Sequence, residues 1–421
     1  MLRFGLAILL TVLPGLAPAS ERVVPAEAGE LAEAVRTAEA GQVLRLAPGL
    51  HDGGLVLDRP VSLFCEPGAE IAGDGTGSVL TVTAADVTVT GCAISGSGSS
   101  HQTIDSGVKL TTGATRARIE GNRLTGNLYG IDIHGARNAT VADNMIEGRQ
   151  DARMNERGNG VYVWNAPGSV VTGNDIRWGR DGIFANTSKQ DIFRGNRFRD
   201  LRFAVHYMHT NDTEVSYNLS VGNDIGYALM FSHGVRAIGN VSVRDREHGI
   251  MLNYANDSEI TGNLVRDGAG KCAFLYNANK NSFTDNRFER CAIGIHFTAG
   301  SERNAITGNA FIANRTQVKY VGTRWLDWSA EGRGNYWSDF AAYDVNGDGI
   351  ADSVYRPNDA MDHILWTQPA AKLLLGSPAV QLARWAQSAF PALLPGGVID
   401  SHPLMRPVEI AVPDWEGHHD G

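Results

Sequence analysis

Beyond its first twenty residues this chain has no uninterrupted apolar run of about 18 residues, the length a membrane-spanning helix needs. It also has no clustered charge. Its 37 Lys and Arg and 46 Asp and Glu are dispersed along the sequence for a net charge of −9, which excludes the basic footprint of a nucleic-acid-binding protein. There is no tight metal-ligand spacing such as Cys-x-x-Cys among its four cysteines. The 3.6-residue apolar period of a helical repeat is missing as well. What is abundant is glycine, 49 residues, together with frequent asparagine, the composition of turn-rich β structure.

The first nineteen residues stand apart. Met1-Leu2-Arg3 gives a positive start, Phe4 to Leu13 is apolar but short for a span, and Ala17-Pro18-Ala19 offers a small-x-small cleavage pattern before Ser20. This reads as a signal peptide over 1–19, with a buried N-terminal strand as the alternative. An exported chain with an even cysteine count has the means to form two disulfides. Proximity pairs Cys65 with Cys92 and Cys272 with Cys291, each about one repeat apart; the other pairings and free buried thiols stay open.

The repeat is the dominant signal. A small or polar residue followed by Asn recurs at Asn122, Asn144, Asn174, Asn196, Asn218, Asn240, Asn263, Asn286 and Asn309, with spacings of 22 or 23 residues and one of 30. The long spacing holds an insertion around Asp151 to Gly158. About nine residues after each Asn comes a Gly-Ile type pair, as at Gly130-Ile131, Gly182-Ile183 and Gly249-Ile250, followed by period-two alternation. These features predict an all-β, right-handed parallel β-helix over 20–322, of ten to twelve coils and roughly 50–60 Å long. One coil cannot bury its apolar face alone, but stacked coils bond through their strands and through like side chains at like turns. The repeating Asn residues are therefore read as scaffold. The amphipathic segment Glu30 to Ala40 is expected to cap the open end.

Strand parity separates core from surface. In the Gly-Ile strands the outward positions include His134, Tyr162, Trp164, Phe184, His206, Met208, Met230, Met251, Phe274 and Tyr276. The other strands point Arg118, Glu120, Arg197, Arg199, Glu214, Arg236 and Glu259 outward, an ordinary solvated surface. An exposed apolar stripe of this size predicts a partner-binding face, with a C-terminal segment folding back over it as the alternative. His206, Met208, His209, Met230 and His233 fall on consecutive coils, and thioether with imidazole is a ligand set suited to copper. Methionine also serves adaptable protein surfaces, the competing reading.

After Tyr320 the repeat gives way to an extension over 323–421. Asp344, Asn346, Asp348, Ile350 (by its carbonyl) and Asp352 have the spacing of a loop for a hard cation such as Ca²⁺. Position 12 is Tyr355 in place of a bidentate Glu, and a plain Asx-rich turn is the alternative. Two short apolar segments follow, one around Leu373, Leu374 and Leu375 and one containing Leu382, Trp385 and Phe390. They are read either as a cap on the solenoid or as a docking element for a membrane-bound partner.

The segments VLRLAPGLHDGGLVLDRPVSLFCEPGAEIAGDG, GNYWSDF with the Asp-rich loop, and PALLPGGVIDSHPLM, together with the coils, resemble the NosD family across the whole mature chain. The C-terminal motifs are the specific part, since carbohydrate-active β-helices share the coils. The resemblance implies a periplasmic accessory protein without catalysis of its own. It would work with the membrane subunit and ATPase of an ABC transporter to mature the copper–sulfide centre of nitrous oxide reductase, with a copper-chaperone lipoprotein in the same system. The rival class is a carbohydrate-binding or carbohydrate-active β-helix, a lyase or epimerase, whose nearest acid–base candidates would be Asp132 with His134, or His206 with Tyr207.

Overall fold

A computed structural model describes residues 20–298, 300–322, 324–358, 377–389 and 396–411, with 364, 368, 370 and 373 between them. The chain winds into a right-handed parallel β-solenoid with three sheets. The first and second contain 13 strands each and the third contains 12. That is slightly more than the ten to twelve coils expected, because rungs formed by Glu21–Val24 and Tyr336–Trp337 extend the stack at its two ends. Every strand pair within these sheets is parallel, as between Arg118–Glu120 and Thr140–Ala142 in the first sheet. Strands of the first and second sheets are mostly three residues long, whereas those of the third typically run to six, as in Phe203–Met208 and His248–Asn253.

The turn between the first and second sheets carries the repeating Asn. Each one donates its backbone N–H and one side-chain N–H to the Oδ1 of the Asn in the following coil. Its second side-chain N–H goes to a carbonyl of the preceding coil. For Asn218 these partners are Asn240 at 3.1 and 3.0 Å and the Phe193 carbonyl at 2.8 Å. The pattern runs without a break from Asn122 to Asn335. Both donors and the acceptor of every buried amide are thereby satisfied, which a buried polar group requires. The residue before each Asn from Asn122 to Asn309 turns in the left-handed region, as Gly239 does at φ 62°. At Asp143, Tyr217 and Asp285 a non-glycine residue takes that conformation.

The Gly of the Gly-Ile pairs has a packing reason. A Cβ on Gly182 would stand 2.4 Å from the Phe198 ring, and one on Gly160 would stand 2.4 Å from Ile176. The core residue of the second sheet fills this space. In the register position of Phe198 one coil on is the small Ser220, and the residue corresponding to Gly182 is Ala204.

The core is a continuous stack that includes Ile131, Val161, Ile183, Val205, Tyr227, Ile250 and Ile295. Helix Glu30–Thr37 buries Leu31, Ala34 and Val35 against the first coil, as expected of an end cap. Cys65–Cys92 and Cys272–Cys291 are disulfide-bonded, the pairing that proximity favoured. At the other end Trp328, Trp337, Tyr355 and Val398 join the same core. Strand Gly397–Ile399 returns to pair with Trp325–Asp327. Asp400 then accepts hydrogen bonds from the Asn335 backbone N–H and the Trp337 indole N–H, closing the Asn ladder with a carboxylate from the tail.

Two predictions follow from the ladder. Asn240→Ala leaves two donors of Asn218 and the Val215 carbonyl without partners, and it should lower stability by roughly 2–4 kcal/mol in denaturant unfolding. Asp191 occupies the turn position before the first-sheet strand, the register equivalent of Asn281 further along. Its Oδ1 accepts the Ser169 N–H, while Oδ2 is buried without a partner. Burial outweighs the Ser169 N–H bond and the nearby Ser188 hydroxyl and Gly168 N–H, and pushes its pKa up to about 7. The folded state therefore holds the proton more tightly than the unfolded chain, so stability should fall as pH rises from about 4 to 7. Asp191→Asn should remove that loss, with a higher unfolding midpoint than the parent at pH 8 and little difference at pH 4.

Candidate partner-binding face

The outward side of the third sheet is the site the alternation singled out. Its strands stack in register. Asp132, Tyr162, Phe184, His206, Ala228, Met251, Phe274, His296 and Lys319 form one row, each paired with the next. His134, Trp164, Asn186, Met208, Met230, Asn253 and Tyr276 form a second row two residues on. The aromatic rings stack along the axis. Tyr162 and Phe184 have centroids 5.4 Å apart, Phe184 and His206 4.6 Å, and His134 and Trp164 4.3 Å. The coil spacing of about 4.8 Å sets this distance, so neighbouring rings cover one another's faces and turn their edges outward.

The face is less open than parity alone implies. Tyr162, Trp164, Phe184, Met208, Met230 and Phe274 are half-buried and Tyr276 is exposed, but His206 and Met251 are buried. Met251 belongs to a small outer apolar cluster with Ile225 and Ala228, flanked by Phe203, Met230 and Phe274. His206 lies under Phe203 and Phe184, and its Nδ1 is 3.1 Å from Asp181. Arg202 holds both oxygens of that buried carboxylate, at 2.8 and 2.6 Å, and stacks over Phe203. Burial raises the Asp181 pKa, but the bonds from His206 and Arg202 outweigh it and hold the carboxyl below its usual range. Asp132 is also fully buried, with Lys109 at 3.6 Å and His134 at 3.8 Å. Two loops come together at this end. Arg149, beside the insertion, bonds the Ser97, Gly98 and Gly126 carbonyls, and His101 bonds Tyr129 and the Glu156 carbonyl.

The copper candidates do not form a closed set. Met208 and Met230 are register neighbours on the sheet face, and His206 is buried with its Nε2 lacking a partner. His209 sits on the adjoining turn with its ring stacked on Phe231, and His233 lies 3.7 Å from Asp212. Among the described residues no three His, Cys, Asp or Glu gather as a metal site. In the Asp-rich loop, Asp344 accepts the N–H groups of Gly347, Asp348 and Gly349, Asp348 accepts that of Ile350, and Asp352 accepts that of Val345. Asn346 accepts the Asp348 N–H. These are the bonds of an Asx-rich turn, and the same oxygen atoms are the ones the spacing offers to a hard cation.

Of the tail residues, Leu382 and Trp385 lie exposed on helix Pro378–Ala389, and Leu373 is exposed before it. Leu374, Leu375 and Phe390 lie outside the described residues, as does the 1–19 segment. The acid–base candidates of the enzyme reading are poorly placed. Tyr207 is fully buried in the core, and Asp132 and His206 stand three rungs apart, roughly 15 Å along the stack.

Two features escaped sequence reasoning. A second ring ladder runs along the turn beside the face, His209 on Phe231 at 5.3 Å and Phe231 on Tyr254 at 5.3 Å, ending edge-on at Tyr276. The 22- to 23-residue spacing of His209, Phe231 and Tyr254 was the available signal. The second sheet, expected to be uniformly polar outside, carries an apolar strip of Leu219, Val241, Val243 and Leu264 on which Ile410 of the tail packs. Elsewhere the first and second sheets carry ion pairs, such as Glu214 with Arg236 and Asp175 with Arg199.

Comparison with known proteins fits this architecture. A family model for NosD, described as a periplasmic copper-binding protein, matches residues 142–342. A relative from Stutzerimonas stutzeri, named as a probable ABC transporter binding protein NosD, is 42% identical over 376 residues, covering 86% of each chain. The chain belongs to the NosD family. A Pseudomonas aeruginosa NosD of the same printed name is 42% identical over 374 residues, 86% of this chain and 87% of its own. Solved structures share the fold at low identity. The Streptococcus pneumoniae adhesin PfbA has a TM-score of 0.53 at 11% identity, covering 70% of this chain and 94% of its own. The alginate lyase AlyGC has a TM-score of 0.52 at 12% identity, covering 72% and 49%. NosD proteins thus share their scaffold with adhesins and lyases alike, and the scaffold alone does not assign a function.

Proposed function

We propose that this chain is a non-catalytic assembly factor of the periplasm, exported through a cleaved signal peptide, that works with an ABC transporter and holds nitrous oxide reductase while its copper–sulfide centre is completed. The observation that carries the client-holding role is the asymmetry of the rod. The outer side of the third sheet presents Trp164, Met208, Met230 and Tyr276, whereas the first sheet is covered by ion pairs. Aromatic and methionine side chains give adaptable contact area to a protein partner. The transporter role rests on the family, whose curated members are named as its binding proteins. In that role the partners are the membrane subunit with its ATPase, and a copper-chaperone lipoprotein belongs to the same system. The family model's copper-binding description supports copper handling by the assembly, but the separated His and Met residues give no reason to route the metal through a single site on this chain.

The carbohydrate reading is the weaker one on geometric grounds. A sugar ring packs on the open face of an aromatic side chain. Here many of the faces are taken up by neighbouring rings, as in the stacks of Tyr162 on Phe184 and Phe231 on Tyr254.

Substituting Trp164, Met208 and Met230 together with Ser should reduce capture of nitrous oxide reductase at least tenfold, a loss of about 1.4 kcal/mol, while leaving the circular dichroism of the β-helix unchanged. Undiminished capture by a folded variant would rule out this face. Helix Pro378–Ala389 is the element assigned to transporter docking. Removal of 370–400 is a poor test, because Gly397–Ile399 and Asp400 close the solenoid. The double variant Leu382→Glu, Trp385→Glu should lose co-purification with the membrane subunit, and full retention would refute the assignment.

A further inference from the structure

The C-terminal third of the same face differs in chemistry from the rest. His248 is the register partner of Lys271, Phe274 of His296, and His296 of Lys319. The Phe274 ring lies among them, with centroids 5.2 Å from His248 and 5.0 Å from His296, and the Lys271 ammonium stands 4.3 Å above it. All five side chains are half-buried. Two lysines elsewhere find carboxylates, Lys109 with Asp132 and Lys280 with Asp257, but among the described residues Lys271 and Lys319 form no ion pair. The Nδ1 of His296 is buried with no hydrogen-bond partner. Four nitrogen-bearing groups therefore face one another on three adjacent coils and the one beyond, and Glu247 is the acidic group that acts on the cluster.

We infer that His248, Lys271, His296 and Lys319 form a binding site for an anionic oxygen group, a small oxyanion or a carboxylate. Like charges packed at this distance repel, and partial burial adds to the cost. Burial and then Lys271 push the His248 pKa down to about 4, and burial with Lys319, Lys271 and His248 does the same for His296. Lys271 is lowered by burial and by Lys319, with Glu247 opposing. An anion seated among these groups relieves the repulsion, accepts hydrogen bonds from the two ammonium groups, and draws protons back onto the imidazoles. Phe274 forms an apolar floor that keeps water off one side. The inference rests on this arrangement of charge and holds whichever protein docks on the face.

The test is titration of the two imidazoles by NMR in the full chain, assigned with His248→Asn and His296→Asn. Sodium sulfate and a hexaglutamate peptide would each be compared with sodium chloride at equal ionic strength. The His248 and His296 pKa values should rise by about one unit, a tenfold linkage between proton and anion, and sulfate binding should tighten as pH falls from 6.5 towards 4. The double variant Lys271→Gln, Lys319→Gln should raise both values in chloride and abolish the further rise. A response to sulfate identifies a free oxyanion as sufficient. A response to the peptide alone identifies an acidic side chain as the ligand. Equal titrations of the parent chain in all three media would overturn the inference, independently of the variants.

Discussion

The Asn ladder is the constraint on which the rest of the structure depends. Each amide is buried, and each is satisfied by the coil before it and the coil after it. A buried amide with an absent partner costs the full desolvation of its polar groups, so the ladder fixes the coil-to-coil register at one edge. The parallel strands then have one alignment available to them, and like positions stack on like. The ladder must also end. At Cys92 it begins with a backbone N–H donated to Asn122, and at Asn335 it finishes on Asp400, which arrives from 65 residues further along the chain. The tail is thereby part of the scaffold.

Fixed register produces the chemical asymmetry of the surface. Three-residue strands in the first and second sheets leave few outward positions, and charged residues there pair along the stack, as in the row Glu214, Arg236 and Glu259. The six-residue strands of the third sheet build longer rows in which similar side chains recur at the coil spacing. Aromatic rings at that spacing stack and harden the surface. Lysine and histidine at the same spacing repel, which is why the Lys271–Lys319 region stands out from the apolar middle of the face.

Much of this was legible in the sequence because it is periodic. The Asn spacing, the Gly-Ile pairs and the parity of Tyr162, Phe184 and Phe274 all follow from a repeat of 22 or 23 residues. The remainder depends on contacts without a period. Parity placed His206 and Asp132 outward but could not show that Phe184 and Phe203 would pack over His206, or that Lys109 and His134 would stand beside a buried Asp132. The spacing of the Asp-rich loop fits a cation site and an Asx-rich turn alike, and its carboxylates accept the loop's own amides. The strip under Ile410 was missed for a related reason. Arg197 and Arg199 give the second sheet a charged exterior in one coil, yet their register partners in the next are Leu219 and Val221.

The central claim is that one face of the rod, and not the rod as a whole, receives the client. It is tested most directly by placing a photoreactive amino acid singly at positions 164, 208, 230 and 276 on the third sheet and at 118, 197 and 236 on the other two, then irradiating intact denitrifying cells. Cross-links to nitrous oxide reductase are expected from the first group and not from the second. Cross-links of equal yield from all three faces, or from the first and second sheets alone, would contradict it.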